Sequence, residues 1–497
     1  MVNSSFTGDN NLATIDSDGK PIVYNLGDIA WVLVSTCLVF IMVPGIGFFY
    51  SGLLRRKNAL SMLWMALAVM AVASFEWFFW GFSLAFSDTA SSFIGNLKHF
   101  GLIHVDMQHS SGGTTIPQLV YCVYQMMFAV LTPVIMCGAF ADRARLAPIL
   151  LFVFCWCTIV YNPIACWTWN SDHGWSNKMG GLDYAGGTPV HISSGTAALV
   201  ISIYLGRRHG YGTEQLAYRP NNVTYVVLGT ILLWFGWFGF NGGSGIGANL
   251  RAAQAIMVSH IAACVGGLTW MLWDWRLERK FSAVSLCSGV ISGLVAITPA
   301  SGYVGTPSAL VFGVVGGTAC NFGTQLKNLI GYDDTLDIFA AHAIGGFVGN
   351  FLTGLFADGR VSSVGGSDPS DGSGWINRHF VQLAYQLADS CAGLGWSFAV
   401  TFILLFAIDH IPGFHFRLDE KDELMGTDIA QIGEEAIVLP FLMRTDPNHP
   451  IDLESMEATH QSVSDTPKEP DSDKAAESNT TWGSGNQGDA GSPPATA

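Results

Sequence analysis

Charge is what this sequence has least of: Asp, Glu, Lys and Arg make up 12% of its 497 residues, while half are hydrophobic. Soluble domains devote about a quarter of their residues to charge, so a water-facing globule is excluded. Bases are scarcer than acids, 23 against 38. That excludes a nucleic-acid partner, whose phosphates demand a basic surface. The deficit is also uneven. From Pro412 onward 17 acids face 5 bases, whereas the preceding stretch holds 21 acids and 18 bases. The bulk of the chain is close to neutral, and the acidity belongs to the tail. A secretory signal peptide is missing as well: the first 25 or so residues are polar, and the apolar run from Ile29 to Tyr50 is long enough to cross a bilayer. Arg55, Arg56 and Lys57 follow closely and act as a stop-transfer cluster.

What is present is a succession of apolar runs, each near the ~20 residues that cross a hydrocarbon core. Eleven spans are predicted, at 27–53, 58–87, 116–140, 146–169, 187–206, 223–244, 252–273, 282–300, 307–324, 335–357 and 381–410. The fold class is therefore an all-α polytopic membrane protein. With the N-terminus outside, inner connections carry twelve bases, among them Arg143, Arg145, Arg207 and Arg208, and outer ones carry six. This is the bias the positive-inside rule expects. Residues 1–26 are then an extracellular segment, 27–411 the membrane domain, and everything from 412 cytoplasmic. Asn3 opens an outer N-glycosylation sequon, while the sequon at Asn222 falls on the inner side. All ten cysteines lie inside the spans and read as small hydrophobes; no metal site and no cofactor is expected.

The stretch 412–444 keeps Phe414, Phe416, Leu418, Leu424, Ile429 and Ile432 among its charges, and is expected to fold against the inner face of the membrane domain. Residues 445–497 read as disordered, being too poor in apolar residues to offset the entropy of ordering. Ser455, Ser462, Ser464, Thr466 and Ser492 stand there as candidate sites for a kinase.

An internal echo organises the membrane domain. Asp183 precedes His191 by eight residues and Asp334 precedes His342 by eight; Gly195 and Gly346 follow those histidines by four. The histidines fall in spans five and ten, so two five-span halves entering from opposite sides form an inverted repeat, with the eleventh span added. Such proteins place their site near the midplane, between the repeats.

An ionisable residue inside a span marks function by default. His191, His260 and His342 qualify, and the matched repeat positions single out His191 and His342. Neutral imidazoles offer one donor and one acceptor each. In contact they can relay a proton or hold a small polar molecule; haem ligation is the rival and would need a wide cleft. His260, without a matched partner, reads as a packing histidine. Tyr124 and Phe128 share a helix face, Trp169 closes span four, and Phe240 lies one turn before Ser244. Aromatic faces attract small cations, and the Ser244 hydroxyl can accept a hydrogen bond from one. Asp183 heads span five as a helix cap that also favours a cation outside. Glu76 lies deep in span two, its partner unspecified by sequence.

These residues carry a resemblance. The run Leu182 to His191 resembles the signature of the ammonium transporter and methylammonium permease family, and so do Gly45 to Gly52, Trp237 to Asn241, and Asp333 through Asp337 to His342. The resemblance covers roughly 27–435 and is nearest to fungal high-affinity permeases. It implies a plasma-membrane homotrimer with one pore per subunit, serving nitrogen uptake rather than catalysis. It implies recruitment of ammonium at Trp169 and Ser244 with Phe128 and Tyr124, a gate of Phe128 and Phe240, a pore pair of His191 and His342, and a structural Asp183. It also implies a regulatory tail from Gly426 to Ala436. An ammonium sensor signalling through the tail and a Rhesus-like gas channel are the alternative readings.

Overall fold

The computed structural model describes residues 5–6, 11–15, 21–213, 220–366 and 369–436. Asn3, the candidate phosphorylation sites and residues 437–497 lie outside the described residues.

Among the described residues eleven helices are long and apolar enough to cross a membrane: Leu26–Leu53, Arg56–Phe86, Gln118–Phe140, Leu146–Trp169, Gly187–Leu205, Val223–Gly243, Leu250–Glu278, Ala283–Ala300, Thr306–Ile330, Phe339–Phe356 and Gln382–Asp409, spans 1 to 11 in order. Several start where a polar side chain can satisfy the free N–H groups of a first turn. Asn25 accepts from Gly27 and Asp28, Asn222 from Tyr225, Asn249 from Ala252, and Ser282 from Ser285. The Asn222 sequon is thus built into a helix cap. Span 7 runs on to Glu278 and span 9 to Ile330, beyond their apolar stretches. A helix needs no hydrophobic residue to continue past hydrocarbon, so the charged turn Asp274–Glu278 simply projects.

Spans 3, 5 and 8 are largely enclosed by the others, whereas spans 9 and 11 leave most of their surface facing outward. Trp77, Trp156 and Trp237 are the bulkiest wholly buried side chains in the core around them. An odd number of spans puts the start of span 1 and the end of span 11 on opposite faces. The face where span 1 begins is called here the vestibule end, the other the tail end. At the vestibule end, strands Ser5–Phe6, Asn11–Ile15 and Pro21–Asn25 form an antiparallel sheet, and His109–Ser110 pairs with Gly113–Pro117. These strands are short, and Pro21–Asn25 alternates in burial while its exposed Val23 is as apolar as its buried neighbours, so no alternation shows in the sequence.

The repeat is visible in matched local structure. Spans 5 and 10 both open with a wide π turn, Gly187–Ile192 and Phe339–Ile344, each carrying its histidine. Asp183 and Asp334 each accept the backbone N–H five residues on, from Thr188 and Phe339. The paired glycines explain themselves at the crossing of these spans. A Cβ on Gly195 would stand 2.3 Å from the Ala343 backbone nitrogen, and one on Gly346 would meet the Gly187 carbonyl and His191 Cβ at 2.9 and 3.0 Å.

At the tail end, residues 412–436 run over the helix ends. Phe416 is wholly buried against Phe140 and Phe152, with its backbone paired to Arg145. The Asp428 carboxylate accepts from Leu60 and Ser61 N–H at 3.0 and 2.7 Å, capping span 2 from a remote segment. Lys57 returns the favour to the carbonyls of Glu423 and Leu424, at the end of helix Glu420–Met425. Beneath this clasp lies a buried ion cluster. Arg208 bridges Asp333 and Asp142 at 2.8 and 2.9 Å, and Arg143, wholly buried, reaches Asp333 as well. Burial pushes Asp333 up, but the Arg208 guanidinium outweighs it and holds the carboxyl below its usual range.

Candidate functional site

Two cavities are linked by a chain of touching rings, Phe128, Phe240, His191 and His342. The larger, about 390 Å³, opens at the vestibule end between Trp169, Phe128, Ser244, Asp183, Tyr184 and Arg251. The smaller, about 60 Å³, lies toward the tail end beside His342, Tyr50, Leu336 and Ile338. Phe128, Phe240 and His191 are buried between them.

The vestibule floor is aromatic. Phe128 meets the edge of Trp169 at 5.6 Å between centroids and lies over Phe240 at 4.4 Å. Trp169 is aimed by its indole N–H, which donates to the Asp183 carbonyl at 3.1 Å. Ser244 stands one turn past Phe240 and donates its hydroxyl to the Phe240 carbonyl at 2.7 Å. A donating hydroxyl keeps its oxygen lone pairs for something else, so Ser244 is an acceptor held in place. Tyr124 is wholly buried, and its hydroxyl reaches the carbonyls of Gly239 and Phe240 and lies 3.3 Å from Ser244 Oγ. It does not line the vestibule and reaches it through Ser244 and through Phe128, whose ring meets its own at 5.1 Å.

Below Phe240 the two histidines meet. His191 Nδ1 and His342 Nδ1 are 3.2 Å apart, and the rings are tilted by 34°. One Nδ1 must carry hydrogen and the other a lone pair. The donor ring then has a bare Nε2 and the acceptor ring an N–H there, so the pair always presents one acceptor and one donor. Trp237 stacks on His191 at 5.5 Å and is fixed by its N–H to Thr298. Phe240 lies beside His191 as well, at 6.1 Å between ring centroids.

Asp183 belongs to the frame. Its carboxylate accepts three backbone N–H groups, from Gly186, Gly187 and Thr188, at 2.7–2.8 Å. Burial and the nearby Asp389 carboxylate push it up to about 7 against those donors. Asp389, in span 11, accepts from the hydroxyls of Thr188 and Ser176, tying the last span to the start of span 5. Glu76 finds its partners in Thr158 and Asn162 of span 4, both 2.9 Å from one carboxylate oxygen. His260 faces outward on span 7 against Trp234.

Sequence reasoning passed over Trp237, Asp389 and Arg251. For Trp237 the signal was its position three residues before Phe240, on the same helix face. For Asp389 it was the rarity of an acid inside a span. Arg251 gave none, since a base at a helix start is ordinary.

Spans arranged about a narrow buried path with a polar pair at its middle define a membrane transport protein for a small solute. Residues 30–437 match the model of the Ammonium Transporter Family. Ammonium transporter 1 of Schizosaccharomyces pombe is 49% identical over 443 residues, spanning 89% of this chain and 88% of that one. Ammonium transporter MEP2 of Saccharomyces cerevisiae is 49% identical, over 86% of each chain. The crystal structure of Candida albicans Mep2 aligns with a TM-score of 0.77 and 48% identity, covering 87% of this chain and 94% of that one. The chain belongs to the Ammonium Transporter Family, and it is an ammonium transporter.

Proposed function

We propose that the protein recruits ammonium in the vestibule, strips one proton at the gate, and passes ammonia along the histidine pair while the proton follows separately. The observation that carries this is the buried seal of Phe128 and Phe240 above His191 and His342. Taking an intact cation through such surroundings costs many kcal/mol, tens in the idealised limit. Potassium, of similar size, cannot shed its charge; ammonium can. Trp169 and Phe128 offer ring faces to the cation, and Ser244 offers its oxygen. At the pair, the free acceptor and donor allow a proton to enter at one ring and leave at the other, making transport electrogenic.

The charge bias supports a vestibule outside and a tail in the cytoplasm, and family likeness supports the plasma membrane. A homotrimer is the assembly implied by family likeness, and kinase action on Ser455, Ser462 or Ser464 and a sugar on Asn3 remain part of the same reading. The test is ammonium uptake by purified protein in vesicles with membrane current recorded together. Current should accompany uptake in the native chain. Uptake without current would leave ammonia conduction and sink the proton relay.

A further inference from the structure

We propose that Arg251 sets the affinity of the vestibule, as a fixed positive charge at its mouth that holds ammonium binding down. Arg251 lies in the first turn of span 7 and lines the cavity together with Trp169, Ser244 and Asp183. Its guanidinium lies over two tyrosine rings, 4.9 Å from the Tyr184 centroid and 4.8 Å from that of Tyr303. Nε donates to the Gly302 carbonyl at 2.7 Å. A long side chain at a helix start ordinarily swings into solvent; these contacts pin this one beside the path.

Two consequences follow. A guanidinium over aromatic faces occupies the kind of seat a small cation seeks, so Tyr184 and Tyr303 are taken and the ion is left with Trp169 and Phe128. The charge also acts at a distance. Whatever acids lie nearby, exchanging this cation for a neutral group makes the potential in the cavity more negative, because potentials add. One unit charge several ångströms away across a wet cavity changes the local concentration of a monovalent cation by about two- to fivefold. The effect is the same for every monovalent cation, so Arg251 tunes affinity and leaves discrimination to the gate below. The inference rests on the cation entering through this vestibule.

The experiment measures ammonium uptake by the full chain in vesicles, native and with Arg251→Gln, Arg251→Lys or Arg251→His, at low and high ionic strength. In Arg251→Gln the KM should fall about two- to fivefold at low salt with an unchanged maximal rate. The gap should close near 1 M salt, where the Debye length is about 3 Å. Arg251→Lys should keep the native KM, which a role confined to ring stacking would not allow. Arg251→His keeps a planar ring between the tyrosines and toggles its charge within one folded protein. Relative to the native chain its KM should fall on going from pH 5.5 to pH 8. An unchanged KM in Arg251→Gln, a salt-independent shift, a shift of equal size in Arg251→Lys, or a pH-independent ratio for Arg251→His would each overturn the proposal. Trp169→Ala separates the two readings: native KM there, with a lowered KM in Arg251→Gln, would sink recruitment at Trp169 and leave Arg251 standing.

Discussion

Single residues in this pore act by what they lack. Ser244 gives its hydrogen to Phe240 and so has only an oxygen to offer, to which an ammonium N–H can donate. Ser244→Ala removes one hydrogen bond to a charged ligand, about 1.5 kcal/mol. The KM for ammonium should rise roughly tenfold with little change in maximal rate. The histidines behave differently, since neither is expected to set affinity. Replacing both His191 and His342 with Leu should give a folded protein whose ammonium current falls to background, read by electrophysiology on the reconstituted variant. Full current in that variant removes the relay.

At the scale of elements, geometry between helices matters more than any pore-lining group. The histidines reach 3.2 Å only because spans 5 and 10 cross where Gly195 and Gly346 leave room. Gly195→Ala puts a methyl into the backbone of Ala343, so the spans must separate. Overpacking of this kind costs about 1–3 kcal/mol, and transport should fail although every pore side chain survives. The tail contributes at the same scale. Asp428→Ala removes a cap from span 2 and should cost about 1 kcal/mol, seen as a lowered melting temperature. The ion cluster gives this end a pH signature. Asp333 sits below its usual range beside Arg208, so its stabilisation is full above the ordinary carboxylate value near 3.9 and disappears as pH falls through the lowered one. Melting temperature should therefore drop on acidification below about pH 4, and Arg208→Gln should abolish that step.

Across the whole molecule, legibility followed hydrophobicity. Spans announced themselves because hydrocarbon demands length and apolarity from each one, and the predicted boundaries fail mainly where helices outrun the lipid, at the Glu278 and Ile330 ends. The histidine pair was legible because two halves repeat the same Asp–His–Gly spacing. The strands near the N-terminus were not, since Ile22, Val23 and Tyr24 are all apolar although their burial alternates. Nor was the service of Tyr124 to Ser244 or the seating of Arg251 between two rings, because both depend on which elements remote in sequence meet in space.

The hydrogen shared by the histidines has one more implication. Only one ring can donate at a time, so a proton handed through the pair leaves both imidazoles in the opposite tautomer from the one they began with. Before the next proton can travel the same way, the rings must be restored, as a turnstile arm must come round again. Under the proposed relay the pair would keep a one-bit memory of its last passage, and the reset would add a step to every cycle.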